Sequence, residues 1–280
     1  MTLAESYAWC RNVARSRAKN FYWSFVLLDH ARRDSLCAIY AFMRHCDDLS
    51  DEPGAKRESL DAWRALLTRA LAGDPPADPL WPAFLDTVHR YRIPERYFHE
   101  MIDGVTSDLV SPRRRTFDDL YRYCYCVASV AGLSLIHVFG FRSPEALPLA
   151  EKCGIAFQLT NIIRDVREDW GLGRVYLPEE DLRRFHVTDA HLGASVASTE
   201  LRSLLRFEAT RAAGYYRDAR PLLEMVEPSC RRSLWAIIEI YSRLLDRIEE
   251  RDFEVMAERV RLATPEKLAI LARGWIGLGS

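Results

Sequence analysis

Nineteen consecutive residues from Tyr123 to Phe141, YCYCVASVAGLSLIHVFGF, contain no Asp, Glu, Lys or Arg. This length is close to what a helix needs to cross a bilayer. The segment nevertheless includes His137, two serines, two glycines and two cysteines, and it follows directly on the charged sequence RRRTFDDLYR. These residues favour a fully buried helix at the centre of a soluble helical bundle over a membrane-spanning helix.

Proline and glycine residues fall in clusters on both sides of this segment, and the stretches between the clusters have helical periodicity. Strand-like alternation is nearly absent, and no linker is long or polar enough to mark a domain boundary. We therefore predict an all-α fold, with residues 1–280 forming a single domain built as a bundle of unusually long helices. The predicted helices lie near residues 31–51, 56–71, 79–91, 94–110, 116–139, 145–169, 197–220, 229–257 and 265–274.

The composition excludes several classes of protein. Hydrophobic residues make up 49% of the chain, charged residues 28%, and the formal net charge is −1, which excludes a disordered chain and argues against nucleic acid as a partner. Seven scattered cysteines without a CxxC pair argue against a zinc site and are typical of reduced thiols in a cytoplasmic protein. The N-terminal residues lack the apolar run of a secretory signal.

A first acidic stripe lies near the end of the segment AIYAFMRHCDDLSDE, residues 38–52. Like charges one turn apart and negative charges at a helix C-terminus are both unfavourable, so a binding partner would have to compensate them. The alternative is a solvated acidic helix end in which Arg44 pairs with Asp48. At 100° per residue, the polar side chains that share this stripe are Tyr40, Arg44, Asp47 and Asp51.

A second polar stripe follows one face of the segment FQLTNIIRDVRED, residues 157–169, whose opposite face carries Leu159, Ile163 and Val166. Buried carboxylates without partners are very unfavourable, and a ligand set made only of oxygens selects Mg²⁺ over zinc. Two such faces opposed across a cavity would suit a diphosphate bridged by several Mg²⁺ ions. The stripe consists of Gln158, Asn161, Asp165 and Asp169.

Fixed cations accompany the acidic stripes. Arg44 and Arg164 each lie within one turn of a stripe, and the sequence GLGRVYLP at residues 171–178 follows the second one. With two glycines in that loop, Arg174 and Tyr176 could close over a bound diphosphate as a lid. The alternative is an ordinary helix C-cap and turn.

Four segments together resemble the squalene/phytoene synthase family, the head-to-head prenyl diphosphate synthases. RHCDDLSD at residues 44–51 is similar to the first Asp-rich DxxxD motif, and QLTNIIRDVREDWGLGRVYLP at residues 158–178 matches the second almost throughout. YCYCVASVAG at residues 123–132 resembles the central-helix signature YCxxVAGxVG, with Ser129 at the position of the first Gly and Ala131 at that of the last Val. KNFY at residues 19–22 resembles the N-terminal (S/K)xSF segment. The resemblance extends from about Ser16 to Arg261.

The resemblance implies an isoprenoid synthase fold with a deep central cavity. It implies two or three Mg²⁺ ions bridged by substrate diphosphate and held by Asp47, Asp51, Asp165 and Asp169, with Gln158 and Asn161 in support. The side chains that it implies at the diphosphates are Arg44, Arg164, Arg174, Tyr241 and Arg259. Those that it implies at the reacting prenyl groups are Phe21, Phe25, Tyr40 and Tyr123, the last also assisting proton transfer or diphosphate departure. Asn20 is implied as a further substrate-binding residue.

The reaction implied is the Mg²⁺-dependent condensation of two farnesyl diphosphates to presqualene diphosphate or squalene, as in bacterial hopanoid-pathway members. The alternative is condensation of two geranylgeranyl diphosphates to phytoene. A head-to-tail synthase or a terpene cyclase is disfavoured because the second motif has neither an aspartate doublet nor the cyclase triad, and a non-enzymatic scaffold is the remaining alternative. A need for NADPH and the oligomeric state stay open. Arg113–Arg115 are interpreted as a solvated helix start, with peripheral contact to anionic lipid as the alternative.

Overall fold

The computed structural model describes residues 1–17, 21–51, 56–111 and 113–276. Over these residues the chain forms α-helices joined by turns, and its β-type pairings are two isolated bridges, which confirms the predicted all-α class. The helices are α1 (Leu3–Arg17), α2 (Phe21–Phe25), α3 (His30–Asp51), α4 (Arg57–Leu71), α5 (Trp81–Tyr91), α6 (Arg96–Val110), α7 (Phe117–Cys124), α8 (Val130–Phe139), α9 (Ala146–Arg164), α10 (Val166–Gly171), α11 (Glu179–Arg184), α12 (Asp189–Leu192), α13 (Thr199–Ala219), α14 (Leu222–Met225), α15 (Pro228–Glu250) and α16 (Thr264–Ile276).

The uncharged segment lies at the centre of the bundle, where α6 and α9 pack against it. α7 begins after Thr116, which forms a reciprocal capping box with Asp119. It continues through a π-helical turn, Tyr125–Ser129, into α8. Within the described ranges, Phe117–Phe139 is the one helix long and apolar enough to cross a membrane, and 56% of its most apolar window is buried inside the structure. Its position therefore agrees with the predicted central helix.

Two glycines allow α6 and α9 to pack closely against the π-helical turn. A Cβ on Gly104 of α6 would lie 2.7 Å from Cγ1 of Val127, and one on Gly154 of α9 would lie 2.4 Å from Cα of Ser129. Neither position has room for a side chain. Ser129 is fully buried and donates its hydroxyl hydrogen to the carbonyl of Glu151 at 2.7 Å. The turn is therefore fixed between α6 and α9.

The predicted helix at residues 145–169 is wrong in one respect, because it is interrupted at Asp165. The backbone there has φ −103° and ψ 13°, so α9 ends before this residue and α10 begins after it. The Asp165 amide still donates to the Asn161 carbonyl at 2.9 Å, and its carbonyl still accepts from the Asp169 amide at 2.8 Å. The helix is therefore interrupted at this aspartate without loss of these hydrogen bonds.

The predicted helix at 229–257 is too long, because α15 ends at Glu250. The chain turns there with a positive φ of 57° at Phe253, whose buried ring continues the apolar pattern without continuing the helix. Arg167 donates to two backbone carbonyls of the following segment, at 2.7 and 2.9 Å. This return segment carries Arg259 back to the end of α9.

Five helices in the described part of the chain were not predicted, and the longest of them is α1. It packs against α3 and α5, where Tyr7 donates to Asp86 at 2.6 Å and Arg11 pairs with Asp34 at 2.5 Å. Its buried side consists of Ser6, Tyr7, Cys10 and Ala14, which give only a weak apolar stripe in the sequence. The other unpredicted helices are the short α2, α11, α12 and α14.

Two groups of buried apolar side chains form the core. The first lies mainly between α1, α3, α5, α6 and α8, and the second between α7, α9, α13 and α15. α9 contributes to both, with Ala150 and Cys153 in the first group and Ile155 and Leu159 in the second. This helix, whose last turns carry the second polar stripe, therefore lies where the two groups meet. All seven cysteines are free thiols.

Candidate active site

An elongated apolar cavity of about 210 Å³ lies between α3, α8, α9 and α15. Asp47 and Leu36 both line it from α3, and the rise of 1.5 Å per residue places them about 16 Å apart along the helix axis. Asp47 lies near the end of α3, Gln158 and Asn161 lie on the last turns of α9, and Tyr40 and Tyr241 lie midway along α3 and α15. The cavity therefore has one polar end and one apolar end. Its polar lining side chains are Tyr40, Asp47, Gln158, Asn161 and Tyr241.

A second, basic cavity of about 630 Å³ adjoins the polar end. Tyr40, Asn161 and Tyr241 line both cavities, so an elongated ligand can extend from one into the other. Among the described residues no carboxylate lines the basic cavity, which makes it suited to a multiply charged anion. Its cationic side chains are Arg17, Arg44, Arg164, Arg259, Arg261 and Lys267.

Asp165 contacts two arginines that line the basic cavity, Arg164 and Arg259. Arg164 donates to its Oδ1 from Nε at 2.7 Å and also contacts its Oδ2. Arg259 binds the same carboxylate bidentately, with both distances 2.8 Å. Asp165 is thus largely buried and ion-paired, with its side chain 16% exposed.

Asn161 and Asp169 of the second polar stripe offer oxygen atoms that could bind a divalent cation. Oδ1 of Asn161 is buried without a hydrogen-bond partner, which leaves an oxygen lone pair for a ligand. Burial, together with nearby Asp165, raises the pKa of Asp169 to about 8, and a bound cation would offset both effects. This all-oxygen donor set fits a hard divalent cation.

Arg174 lies outside both cavities, on the loop after α10. That loop turns at Gly173, where φ is +74°, and the Arg174 amide donates to the Asp169 carbonyl at 2.8 Å. Its guanidinium donates to the backbone carbonyl of Ser50 at 3.1 Å. The loop thereby connects the end of the second motif to the last turn of α3, which carries the first. Closure of this loop as a lid stays a prediction.

Tyr123 is buried in a polar cluster that includes two residues missed by sequence reasoning. Its hydroxyl donates to Oδ2 of Asp108 at 3.1 Å, and Arg114 donates to Oδ1 of the same carboxylate at 2.9 Å. Burial raises the pKa of both Asp108 and Tyr123. The interpretation of Arg113–Arg115 as a solvated helix start is therefore wrong for Arg114, which is 5% exposed. Lipid contact by its two neighbours stays a prediction.

The remaining predicted site residues are placed as follows. Phe25 is buried and lines the apolar cavity, and Arg44 both lines the basic cavity and pairs with Asp48. Asn20 lies outside the described residues. Phe21 begins α2 and Asp51 ends α3, but their side chains are outside the described part.

The predicted metal cluster is only partly assembled among the described side chains. No group of three His, Cys, Asp or Glu side chains there lies close enough together to hold a metal ion. Asp51 is not among them, and Asp165 contacts arginines. The four-aspartate metal site therefore stays a prediction. Arg17, Arg261 and Lys267 in the basic cavity were also missed, because they lie on three separate elements that only the fold brings together.

Comparison with known proteins decides the family. The sequence model for squalene/phytoene synthase matches residues 6–266. The chain belongs to the squalene/phytoene synthase family. The 15-cis-phytoene synthase of Synechococcus elongatus is 36% identical, over 96% of this chain and 92% of that protein.

Two solved structures place this squalene/phytoene synthase in the isoprenoid synthase fold. A dehydrosqualene synthase in complex with ligand has a TM-score of 0.93 and 29% identity, over 99% of this chain and 97% of that one. Squalene synthase HpnC from Alicyclobacillus acidocaldarius has a TM-score of 0.83 and 28% identity, over 90% and 96% of the two chains. The protein is thus a prenyltransferase of a family that binds prenyl diphosphates, uses a divalent metal and catalyses head-to-head condensation.

Proposed function

We propose that this enzyme condenses two molecules of geranylgeranyl diphosphate head to head and releases phytoene. The observation that carries the proposal is the junction of the apolar and basic cavities at Tyr40, Asn161 and Tyr241, which suits a long hydrocarbon with a diphosphate head. The motif resemblance favoured the C15 substrate. The 36% identity to a cyanobacterial phytoene synthase supports the C20 alternative better.

The residues of the basic cavity would bind the donor diphosphate. Arg44, Arg164 and Arg259 supply fixed positive charge at the end that adjoins the apolar cavity. We propose that two or three Mg²⁺ ions bind with the substrate and neutralise the leaving diphosphate. The residues that would hold them are Asp47, Asp51, Asn161, Asp165 and Asp169.

The apolar cavity would hold the allylic cation. Phe157 and Tyr241 stack there at 4.5 Å between ring centroids, and Tyr40 lies on the opposite helix α3. Aromatic faces stabilise a nearby cation by about 0.5–2 kcal/mol each, and the apolar lining excludes water that would convert the cation to an alcohol.

The reaction proceeds in two successive steps, whose atoms and electrons balance without a reductant. In the first, one diphosphate leaves, a carbon–carbon bond forms to the 2,3-double bond of the acceptor, and a proton is lost as the cyclopropane closes. In the second, the remaining diphosphate leaves and the rearranged cation loses another proton to give the linear hydrocarbon. NADPH is therefore not part of this proposal.

A second candidate is the C15 reaction that yields presqualene diphosphate or a C30 hydrocarbon. Its specific support is the TM-score of 0.93 to a dehydrosqualene synthase. The two candidates differ in the length of hydrocarbon that the apolar cavity accepts.

The test is to incubate the purified protein with Mg²⁺ and either geranylgeranyl or farnesyl diphosphate, with and without NADPH, and to identify products by mass spectrometry. We expect a C40 hydrocarbon without NADPH, and a kcat/KM at least tenfold higher for the C20 substrate. Turnover restricted to farnesyl diphosphate would replace this proposal by the second candidate. A chelator should abolish either reaction.

A further inference from the structure

A buried ion pair lies near Asp169 of α10, and the roles described above do not use it. Asp108 is on α6, and Arg114 is on the segment that leads into α7. Their side chains are each 5% exposed, and they meet with an Nη2–Oδ1 distance of 2.9 Å. Arg114 also donates to the hydroxyl of Ser107 at 3.1 Å.

This ion pair organises two phenol rings. Tyr123 donates its hydroxyl hydrogen to the second carboxylate oxygen of Asp108 at 3.1 Å. The Tyr123 and Tyr176 rings stack with centroids 4.7 Å apart and planes 17° apart. The guanidinium carbon of Arg114 lies 4.5 Å from the Tyr123 centroid and 5.6 Å from that of Tyr176. One carboxylate and one guanidinium thus fix both rings.

The ion pair is also connected to the loop that carries Arg174. Val175 forms a bridge with Arg113, and the Glu179 amide donates to the Arg114 carbonyl at 2.9 Å. One side of the loop is therefore attached to the segment before α7. Its other side reaches α3 through the contact of Arg174 with the Ser50 carbonyl at 3.1 Å.

A buried ion pair is weak evidence for a stabilising role, because well-packed apolar residues in its place are often neutral or stabilising. We propose that Asp108 and Arg114 are positioning residues for prenyl transfer: they hold the Tyr123 hydroxyl and, through Tyr176, the Arg174 loop over the aspartate-bearing ends of α3 and α10. This role rests on the head-to-head condensation of the family and is independent of the length of the prenyl chain.

The expected consequence of losing the pair is a loop that closes incompletely. Water then reaches the allylic cation, and a fraction of the turnovers yields prenyl alcohol instead of the condensed product. The Tyr123 hydroxyl also loses its fixed direction. Both effects act after the substrate has bound, so kcat falls more than KM rises.

The test compares two variants that each replace a buried ion pair by apolar residues. Asp108→Leu/Arg114→Met removes the proposed positioning pair. Glu208→Leu/Arg211→Met removes a pair on α13 with an Nη1–Oε2 distance of 2.9 Å and side chains 1% and 19% exposed, and it serves as the control. Asp181→Asn is added to this control, because Arg211 also pairs with the buried Asp181 at 3.1 Å. Both are assayed with whichever prenyl diphosphate the wild type uses faster, so the choice of substrate does not affect the result.

We expect the first variant to lose at least tenfold in kcat, with less than a threefold change in KM and a several-fold higher fraction of prenyl alcohol. The control should keep both kcat and the product ratio within threefold of wild type. Wild-type kcat and product ratio in the first variant would overturn the proposal. If that variant does not fold, Asp108→Asn decides, because it keeps the side-chain shape: unchanged kcat and alcohol fraction would overturn the proposal, and the same loss would support it.

Discussion

Arg259 binds both carboxylate oxygens of Asp165, with Nε–Oδ1 and Nη2–Oδ2 distances of 2.8 Å each. Arg164 contacts the same two oxygens, so the carboxylate faces two guanidinium groups. Both arginines also line the basic cavity. A diphosphate that enters this cavity therefore competes with Asp165 for them. Binding of a diphosphate to these arginines would therefore release the Asp165 carboxylate to bind a metal cation.

Replacing Arg259 should weaken substrate binding. Charge-assisted hydrogen bonds contribute about 1.5–3 kcal/mol, so we expect Arg259→Met to lower kcat/KM by about 10- to 100-fold. Arg251→Met is the control, because Arg251 is exposed and pairs with Glu258 outside the basic cavity. Steady-state kinetics of both variants check the prediction. Equal kinetics in the two variants would mean that Arg259 only neutralises Asp165.

Two aspartate substitutions should separate turnover from stability. We expect Asp47→Asn and Asp165→Asn both to abolish turnover, because both side chains are predicted metal ligands. Asp47 lines the cavity from the end of α3, so its substitution should change the free energy of unfolding little. Asp165→Asn leaves the largely buried Arg164 and the partly exposed Arg259 without their anionic partner and should lower that free energy by about 1–3 kcal/mol. Urea unfolding of the two variants measures the difference, and equal stability would contradict it.

Glu208 should make stability depend on pH. Burial raises the pKa of this carboxyl from 4.5 to about 7, against the opposing effect of Arg211. Because the folded state then binds the proton more tightly than the unfolded state, this contribution to stability is complete below about pH 4.5 and is lost as pH rises through about 7. Glu208→Gln should remove this dependence, and Glu250→Gln, at an exposed position, should retain it. Unfolding free energies between pH 4.5 and 8 in all three proteins provide the measurement; equal slopes would contradict the assignment.

The parts of the site that were predictable from sequence are those that depend on helical periodicity alone. Gln158 and Asn161 do line one cavity, because side chains three residues apart share a helix face. That Asp47 of α3 lines the same cavity depends on how the two helices pack. The interruption at Asp165 was not predictable, since the same polar spacing occurs in a straight helix and in an interrupted one. The C15 or C20 preference was not predictable either, because it depends on side chains at the far end of the cavity.

The buried pair of Asp108 and Arg114 was missed for a different reason. In the sequence, Arg114 lies within a run of three arginines, which is typical of a solvated segment. Only the packing of Tyr123 from α7 and Tyr176 from a loop more than fifty residues later encloses it. The sequence feature that could have indicated this cluster was the presence of Tyr123 and Tyr176 in two separate segments that resemble motifs of the same family.

Gly154 should not tolerate a side chain. A Cβ at this position would lie 2.4 Å from Cα and 2.7 Å from N of Ser129, and backbone atoms cannot move aside as a flexible side chain can. We expect Gly154→Ala to lower the free energy of unfolding by about 1–3 kcal/mol, as overpacking in a core does. It should also lower turnover, because the π-helical turn that it displaces lines the apolar cavity with Val127 and Ala128.

Gly214→Ala in α13 is the matched control: its Cβ would meet only the end of a flexible arginine at 3.7 Å, so it should be neutral or stabilising. Chemical unfolding and kinetics of the two variants check this prediction, and a fully stable, fully active Gly154→Ala would show that α9 can move away from the turn.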